Sequence, residues 1–106
     1  MDFTKIMEQA QQMQQRMKHI QEGLAKKTIV GSAGGGMVQV TMNGQGDVLA
    51  VAIEQPLIDP NEAQMLQDLI VAATNDGLRK VKELSKQELG QLTGGLDLPG
   101  LSNFLK

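Results

Sequence analysis

The sequence predicts an α+β domain in which a long helix, a small antiparallel sheet of three strands and a second long helix follow one another (α-β-β-β-α). Three observations predict it. Residues 1–27 carry an apolar heptad repeat, residues 37–42 alternate with a period of two ahead of an Asn-Gly pair, and a second apolar stripe at helical spacing follows Asp59-Pro60. A chain of 106 residues is expected to form one domain. We assign that domain to residues 1–92.

The first helix is expected over residues 2–27. Its heptad positions a and d hold only apolar side chains, which favours packing against another helix in a slightly supercoiled pair. Glutamines fill much of the remaining helix surface and are good helix formers. We call the seven apolar residues the seam: Phe3, Ile6, Ala10, Met13, Met17, Ile20 and Leu24.

Three strands are expected within residues 28–54. Their bounds are Thr28 to Ser32, Met37 to Met42, and Asp47 to Glu54. The second and third strands should form a hairpin, because the turn at residues 43–46 begins with Asn-Gly, a strong hairpin signal. One face of the second strand would be formed by Val38, Val40 and Met42. A sheet with one apolar face needs a cover, which we expect the two helices to supply.

The second helix is expected over residues 60–92. Asp59 suits the N-cap, Pro60 the first helical position, and Glu62 would complete a capping box. Its apolar stripe consists of Leu66, Leu69, Ile70, Ala73, Gly77, Val81 and Leu84. Glycine inside a helix costs about 1 kcal/mol against alanine, so Gly77 indicates a close helix crossing.

After the second helix, Gly94 and Gly95 should stop the helical pattern. Residues 93–106 are therefore expected to form an irregular tail. Apolar side chains in it could dock on a partner: Leu96, Leu98, Leu101 and Phe104.

The glycine-rich run GSAGGG, residues 31–36, invites comparison with phosphate-binding loops. In the P-loop pattern Gly31 and Gly36 fit, but Met37 and Val38 stand where Lys and Ser or Thr are needed. Ala33 breaks the dinucleotide-binding pattern in the same way. The residues that follow alternate like a strand, whereas an anion site needs a helix N-terminus. We therefore expect a mobile connection between strands and no nucleotide.

No catalytic or metal-binding constellation is visible. The chain has no cysteine and a single histidine, His19, and its serines have no histidine at a readable spacing. The carboxylates of Asp59 and Glu62 are explained by helix capping. We expect neither an enzyme nor a cofactor. The N-terminus has no apolar core of signal-peptide length and no stretch is long enough to span a membrane, which fits a protein of the reducing cytoplasm.

The net charge of −2 is distributed unevenly. Residues 1–27 carry five basic and three acidic side chains, a net +2, and residues 78–92 carry four and two, again +2. Residues 47–77 hold six acidic side chains and no basic one. Basic segments on either side of an acidic middle are a reason to expect a polyanionic partner.

The basic residues of both helices are the candidate contacts to that partner. They are Lys5, Arg16, Lys18, Lys26, Lys27, Arg79, Lys80, Lys82 and Lys86. With no Tyr or Trp and two Phe, stacking on single-stranded bases is not expected, and no array of Arg or Asn marks a recognition helix. Contact with backbone phosphates remains. The alternatives are an ordinary solvated surface, or a protein-interaction scaffold that uses the heptad helix and the apolar tail.

Four segments together resemble the YbaB/EbfC family of bacterial nucleoid-associated proteins. They are QAQQMQQRM at residues 9–17, VGSAGGGMVQVTMNG at 30–44, VAIEQPLID at 51–59, and LIVAATNDG at 69–77. The resemblance covers nearly the whole chain, and the order and spacing of the segments are specific. It implies an intertwined homodimer, with the sheets at the middle and the helices projecting like tweezers. It also implies binding of double-stranded DNA in the nucleoid, with effects on DNA conformation, nucleoid organisation and gene expression.

An obligate dimer is also expected from the residues themselves. The seam and the one-sided sheet leave more apolar surface than a monomer of this length can cover.

Overall fold

The structure, a computed structural model, describes residues 2–92, except for the side chain of Leu92. Helix α1 spans Phe3–Lys26 and helix α2 spans Ala63–Leu92. Between them lie strands β1 (Thr28–Ala33), β2 (Val38–Asn43) and β3 (Val48–Ile53). The predicted order α-β-β-β-α is therefore confirmed, and the predicted tail over 93–106 lies outside the described residues.

The three strands form one antiparallel sheet in the order β1-β2-β3. In the central strand Val38, Val40 and Met42 are 0, 1 and 0% exposed, and they share a face, as predicted. Helix α2 covers this face over β1 and β2, and Ala73 and Val81 complete the core. The core therefore lies between one helix and two strands.

Helix α1 does not cover the sheet, and that expectation is wrong. Only Leu24, in its last turn, is buried. The C-terminal end of the helix is tied to the β2–β3 turn, where the Gly44 backbone N–H donates to the carbonyl oxygens of Leu24 (2.8 Å) and Lys27 (3.1 Å). A side chain at position 44 would put Cβ 2.5 Å from the Leu24 oxygen, so this bond needs glycine. At its start, Asp2 caps α1 by accepting from the backbone N–H of Thr4.

The glycine-rich run joins β1 and β2, as predicted, but as a hydrogen-bonded turn. Gly34, Gly35 and Gly36 have φ of 65°, 67° and 94°, a region that side chains with Cβ rarely adopt. The backbone N–H of Met37 closes the turn by donating to the Gly34 oxygen at 3.3 Å. The element that follows is strand β2, which is the observation that separated this run from phosphate-binding loops.

Gly31 has a different role from the other glycines of the run. It lies within β1 and is buried against α2 at Gly77. An added Cβ on Gly31 would lie 2.7 Å from the Gly77 Cα and closer still to other backbone atoms of Ala73 and Gly77. Gly77 therefore permits a helix to approach a strand. The expected helix–helix crossing at this residue is wrong.

Helix α2 begins later than its sequence predicts. Asp59 is a cap, but its carboxylate accepts from the backbone N–H of Asn61 at 2.9 Å and starts a 3-10 turn over Pro60–Glu62. The α-helix follows from Ala63. A second 3-10 turn, Gln55–Leu57, buries Leu57 under the sheet end.

Candidate nucleic-acid interface

The nine predicted phosphate-contacting side chains are all exposed, but they divide into two groups. Three of them make bonds within the chain. Lys27 pairs with Glu88 and so links the end of α1 to α2. Lys80 donates to the Val30 oxygen at 2.9 Å, and Lys80 and Arg79 both lie within 4.0 Å of the Asp76 carboxylate. These bonds tie down Lys27 and Lys80 more than the other cations.

Asp76 organises the contact between α2 and β1. Its carboxylate accepts a 3.0 Å hydrogen bond from the Ser32 backbone N–H and pairs with Lys80 at 3.2 Å. The Ser32 bond first, and then Lys80, hold the pKa of Asp76 below its ordinary value of 3.8. Lys80 thus has a structural role in the sheet–helix contact, which its sequence position did not indicate.

On α2 three cations share one face. Arg79, Lys82 and Lys86 are three and four residues apart, the spacing that places side chains on one side of a helix. The buried residues Ala73, Gly77 and Val81 lie on the opposite side. We call Arg79, Lys82 and Lys86 the α2 ridge. Among the described residues no ion pair engages Lys82 or Lys86.

The α2 ridge borders a small cleft that the sequence did not reveal. The cleft has a volume of about 470 Å³ and lies between α2 and the β2–β3 turn. It brings the amides of Gln45 and Asn75 beside Arg79 and Lys82. Two cations and two amides are groups that donate hydrogen bonds to phosphate oxygens. Gln45 and Asn75 are far apart in the sequence, and no local pattern could have joined them.

On α1 the cations do not form one ridge. Arg16 lines an open groove of about 570 Å³ between α1 and α2, together with His19 and Glu88. Lys18 lies two residues further on, about 160° round a helix of 3.6 residues per turn, and borders Gln11 and Gln14 instead. Lys5 lies on the Arg16 side by the same geometry, whereas Lys26 lies about 80° from both Arg16 and Lys18. Lys18 is therefore separate from Arg16 and Lys5.

The seam residues differ in burial along α1. Leu24 is buried, and Met17 and Ile20 are half-buried where α1 runs beside α2. The four residues nearer the N-terminus are exposed: Phe3, Ile6, Ala10 and Met13. Only the C-terminal part of the predicted seam finds a helix within the same chain.

Over residues 2–92 no group of three or more His, Asp or Glu side chains is arranged to hold a metal ion. In the same part of the chain neither helix is long and apolar enough to cross a membrane.

Comparisons with known proteins extend these observations. A model of the YbaB/EbfC DNA-binding family matches residues 1–96. A nucleoid-associated protein of Desulfotalea psychrophila is 65% identical over 105 residues, which are 99% of each chain. One of Syntrophobacter fumaroxidans is 53% identical over 95 residues, 90% of this chain and 86% of that protein. A crystal structure of an uncharacterized Helicobacter pylori protein is similar with a TM-score of 0.78 at 28% identity, covering 88% of this chain and 98% of its own.

Proposed function

This chain belongs to the YbaB/EbfC DNA-binding family, and from that premise we propose that it binds duplex DNA as a homodimer through the exposed basic faces of its two helices. The contacts are to backbone phosphates, so the binding has little sequence preference. In this proposal the protein works in the nucleoid of a bacterial cytoplasm and affects DNA conformation, nucleoid organisation and gene expression. The family is one of DNA-binding proteins, and the proposed activity uses no cofactor or nucleotide.

The α2 ridge is the observation that carries the DNA proposal. Its three cations point away from the core, and two of them have no ion pair among the described residues. A cation that is not already neutralised can replace the counterions condensed on DNA, and release of those counterions drives non-specific binding. Two copies of the ridge in a dimer would engage several phosphates at once. The combined charge of the two ridges explains how a protein with a net negative charge can bind a polyanion through one part of its surface.

The homodimer is supported by strand β3. Val48, Leu49 and Val51 are 53, 60 and 48% exposed, because α2 stops short of this strand. Among the described residues no strand pairs with the outer edge of β3, and an apolar edge strand is a surface that folded proteins usually cover. A second copy of the chain could cover both the edge and the apolar face. We therefore place the dimer interface at β3.

The dimer is tested by Val51→Lys. A lysine buried without a partner opposes association, so the dimer should dissociate at micromolar concentration. Gln67→Lys is the matched control, because it adds the same charge on an exposed position of α2 and should leave the dimer intact. Sedimentation velocity distinguishes the two states. A wild-type protein that sediments as an 11.4 kDa monomer would contradict the proposal.

The DNA contact is tested by Lys82→Gln, with Lys27→Gln as the control. Each variant removes one positive charge, but Lys27 is paired with Glu88. Fluorescence anisotropy on a duplex at several salt concentrations gives the slope of log affinity against log salt. That slope should fall by about 0.9 for each phosphate that the protein no longer neutralises, so Lys82→Gln should flatten it and Lys27→Gln should change it less. Equal slopes for both variants and the wild type would show that the α2 ridge is an ordinary solvated surface.

A second candidate function is a protein-interaction scaffold. The exposed apolar residues of the seam favour it, because apolar patches on a soluble protein often bind other proteins. Binding through such a patch would depend little on salt, whereas phosphate contacts weaken steeply. The salt series therefore separates the two functions.

A further inference from the structure

The N-terminal half of α1 carries an apolar stripe that no described residue covers. Phe3, Ile6, Met7 and Met13 are 73, 46, 51 and 49% exposed. With Ala10 they lie on one side of the helix, and we call these five residues the distal stripe. Contiguous apolar surface of this kind is normally occupied in a soluble protein.

Helices α1 and α2 run side by side in opposite directions. Leu24 lies near Val81 and Ser85, and Arg16 and Gln12 lie near Gln91. Residue numbers fall along α1 as they rise along α2, so the helices are antiparallel. Helix α2 ends at Leu92, level with the middle of α1. At Leu92 helix α2 therefore points along α1 toward the distal stripe.

We propose that residues 93–106 of this chain bind along the distal stripe of their own α1. This segment contains the large apolar side chains Leu96, Leu98, Leu101, Phe104 and Leu105, against only two charged ones, Asp97 and Lys106. It is long enough: the distance from Gln12 to Phe3 is roughly 14 Å along a helix at 1.5 Å per residue. Residues 93–106 reach about 45 Å when extended, at about 3.3 Å per residue.

The covalent link favours this occupant over a second copy of the chain. A tethered segment is present at its site at an effective concentration in the millimolar range, far above that of a free partner in solution. The segment would also leave the side of α1 that carries Lys5 open. Lys5 lies two residues from Phe3 and so about 160° from it round the helix axis. Docking and DNA binding are therefore compatible, and the inference does not depend on the proposed function.

Paired cysteines test the contact in the full-length chain, which has no cysteine of its own. One variant combines Ile6→Cys with Phe104→Cys. The matched control combines Glu8→Cys with Phe104→Cys, and position 8 lies on the opposite side of α1. With oxidised glutathione added, a disulfide needs Cβ atoms within about 4.5 Å, so the first pair should close within one chain at least tenfold faster than the second. Non-reducing gels distinguish the looped monomer from a covalent dimer.

Three outcomes of this experiment would overturn the proposal. Equal closure rates for the two pairs would mean that the segment has no preference for the distal stripe. A covalent dimer from Ile6→Cys alone, faster than from Glu8→Cys alone, would mean that a second α1 occupies the stripe. A covalent dimer that needs both Ile6→Cys and Phe104→Cys would mean that the segment binds the partner instead of its own chain.

Hydrogen exchange gives an independent measurement without cysteines. Phe104→Ser should speed amide exchange in residues 6–13 about tenfold, since a helix without packing on its apolar side opens readily. Asn103→Ser, a neighbouring polar change, should leave those rates as they are. Unchanged exchange in the Phe104→Ser protein would also overturn the proposal.

Discussion

Replacing Gly31 by alanine should destabilise the fold, because the added methyl group meets the backbone of α2. An added Cβ would lie 2.7 Å from the Gly77 Cα, whereas carbon atoms pack at about 3.5–4.0 Å. The nearest atoms are backbone, which cannot rotate away. Helix α2 must therefore move off the sheet by about 1 Å, a gap that forfeits roughly a quarter to a half of the dispersion energy across the interface.

The cost follows from the side chains beneath α2. Val38, Val40 and Met42 are fully buried, and each is worth about 1.5–3 kcal/mol. Weakening their packing by a quarter to a half costs about 1–4 kcal/mol. Alanine also lowers the conformational entropy of the unfolded chain relative to glycine, which stabilises the folded state by about 0.4–1 kcal/mol. We expect a net loss of about 2 kcal/mol, within the range found for overpacked cores.

Two other glycines provide the comparison. At Gly77 an added Cβ first meets the end of the flexible Met42 side chain, and the helix gains about 1 kcal/mol in propensity, so Gly77→Ala should be nearly neutral. At Gly23 nothing lies within 4 Å, so Gly23→Ala should stabilise by up to about 1 kcal/mol. Urea unfolding followed by far-UV circular dichroism at one fixed protein concentration gives all three values.

The order of the three variants tests the contact between β1 and α2. If Gly31→Ala lies within about 0.5 kcal/mol of the wild type, as exposed substitutions do, β1 and α2 are not in contact. If Gly77→Ala destabilises the fold more than Gly31→Ala, the Met42 side chain does not move aside for the new methyl group, and the backbone has to shift instead. The slope of the unfolding free energy against urea should stay constant, which shows that the unfolded state is unchanged.

Three further predictions concern the parts that hold the sheet together. Folding lowers the pKa of Asp76, so the charged carboxylate stabilises the fold above the ordinary pKa of 3.8, and this stabilisation is lost as the pH falls through the lower pKa of the folded state. The difference in unfolding free energy between the wild type and Asp76→Asn should therefore be constant near neutral pH and shrink below pH 3.8. Urea titrations at several pH values measure it. Asn43→Ala should cost about 2 kcal/mol, since the buried Asn43 oxygen accepts from the backbone N–H groups of Gln45 and Asp47, and thermal unfolding measures the loss. Gly35→Ala should cost about 1 kcal/mol because of its positive φ, and calorimetry with ATP should detect no binding either before or after the change.

Much of the fold could be predicted from the sequence, because its signals are local. The heptad repeat of α1, the alternation in β2 and the Asn-Gly turn each act within a few residues, and the structure confirms the helix, the strand and the hairpin that they predict. The start of α2 was misplaced because Asp59 caps a 3-10 turn, and the sequence alone does not separate that turn from the first turn of an α-helix. The attachment of α1 to the β2–β3 turn could not be predicted, since it joins Gly44 to Leu24, which are 20 residues apart in the sequence.

The sequence predicted which residue types form the candidate interface, but it did not predict which of those residues come together in the fold. Residue type alone selected the nine cations. The bond from Lys80 to Val30 and the pair between Lys27 and Glu88 join residues 50 and 61 positions apart, and only tertiary packing brings them together. Gly77 alone indicated a close contact in the sequence, because glycine inside a helix lowers helix stability and is therefore expected where another element packs closely. Its partner, Gly31, was hidden in a run of glycines with another role.

The contacts that hold α1 to the rest of the chain lie toward its C-terminal end, at Gly44, at Gln45 and at the pair between Lys27 and Glu88, so the N-terminal part of the helix is a lever. From Leu24 to Phe3 the helix is roughly 32 Å long, at 1.5 Å per residue. A tilt of about 10° at Gly44 would therefore displace Phe3 by roughly 6 Å, close to two base steps of about 3.4 Å along a DNA strand. The span between the tips of two such helices in a dimer would then depend on these few contacts as much as on the helices themselves. If the chain binds DNA as proposed, a substitution at position 44 would tilt α1, move Lys5 and Arg16 with it, and so change the length of DNA that the pair can grip without replacing any basic side chain.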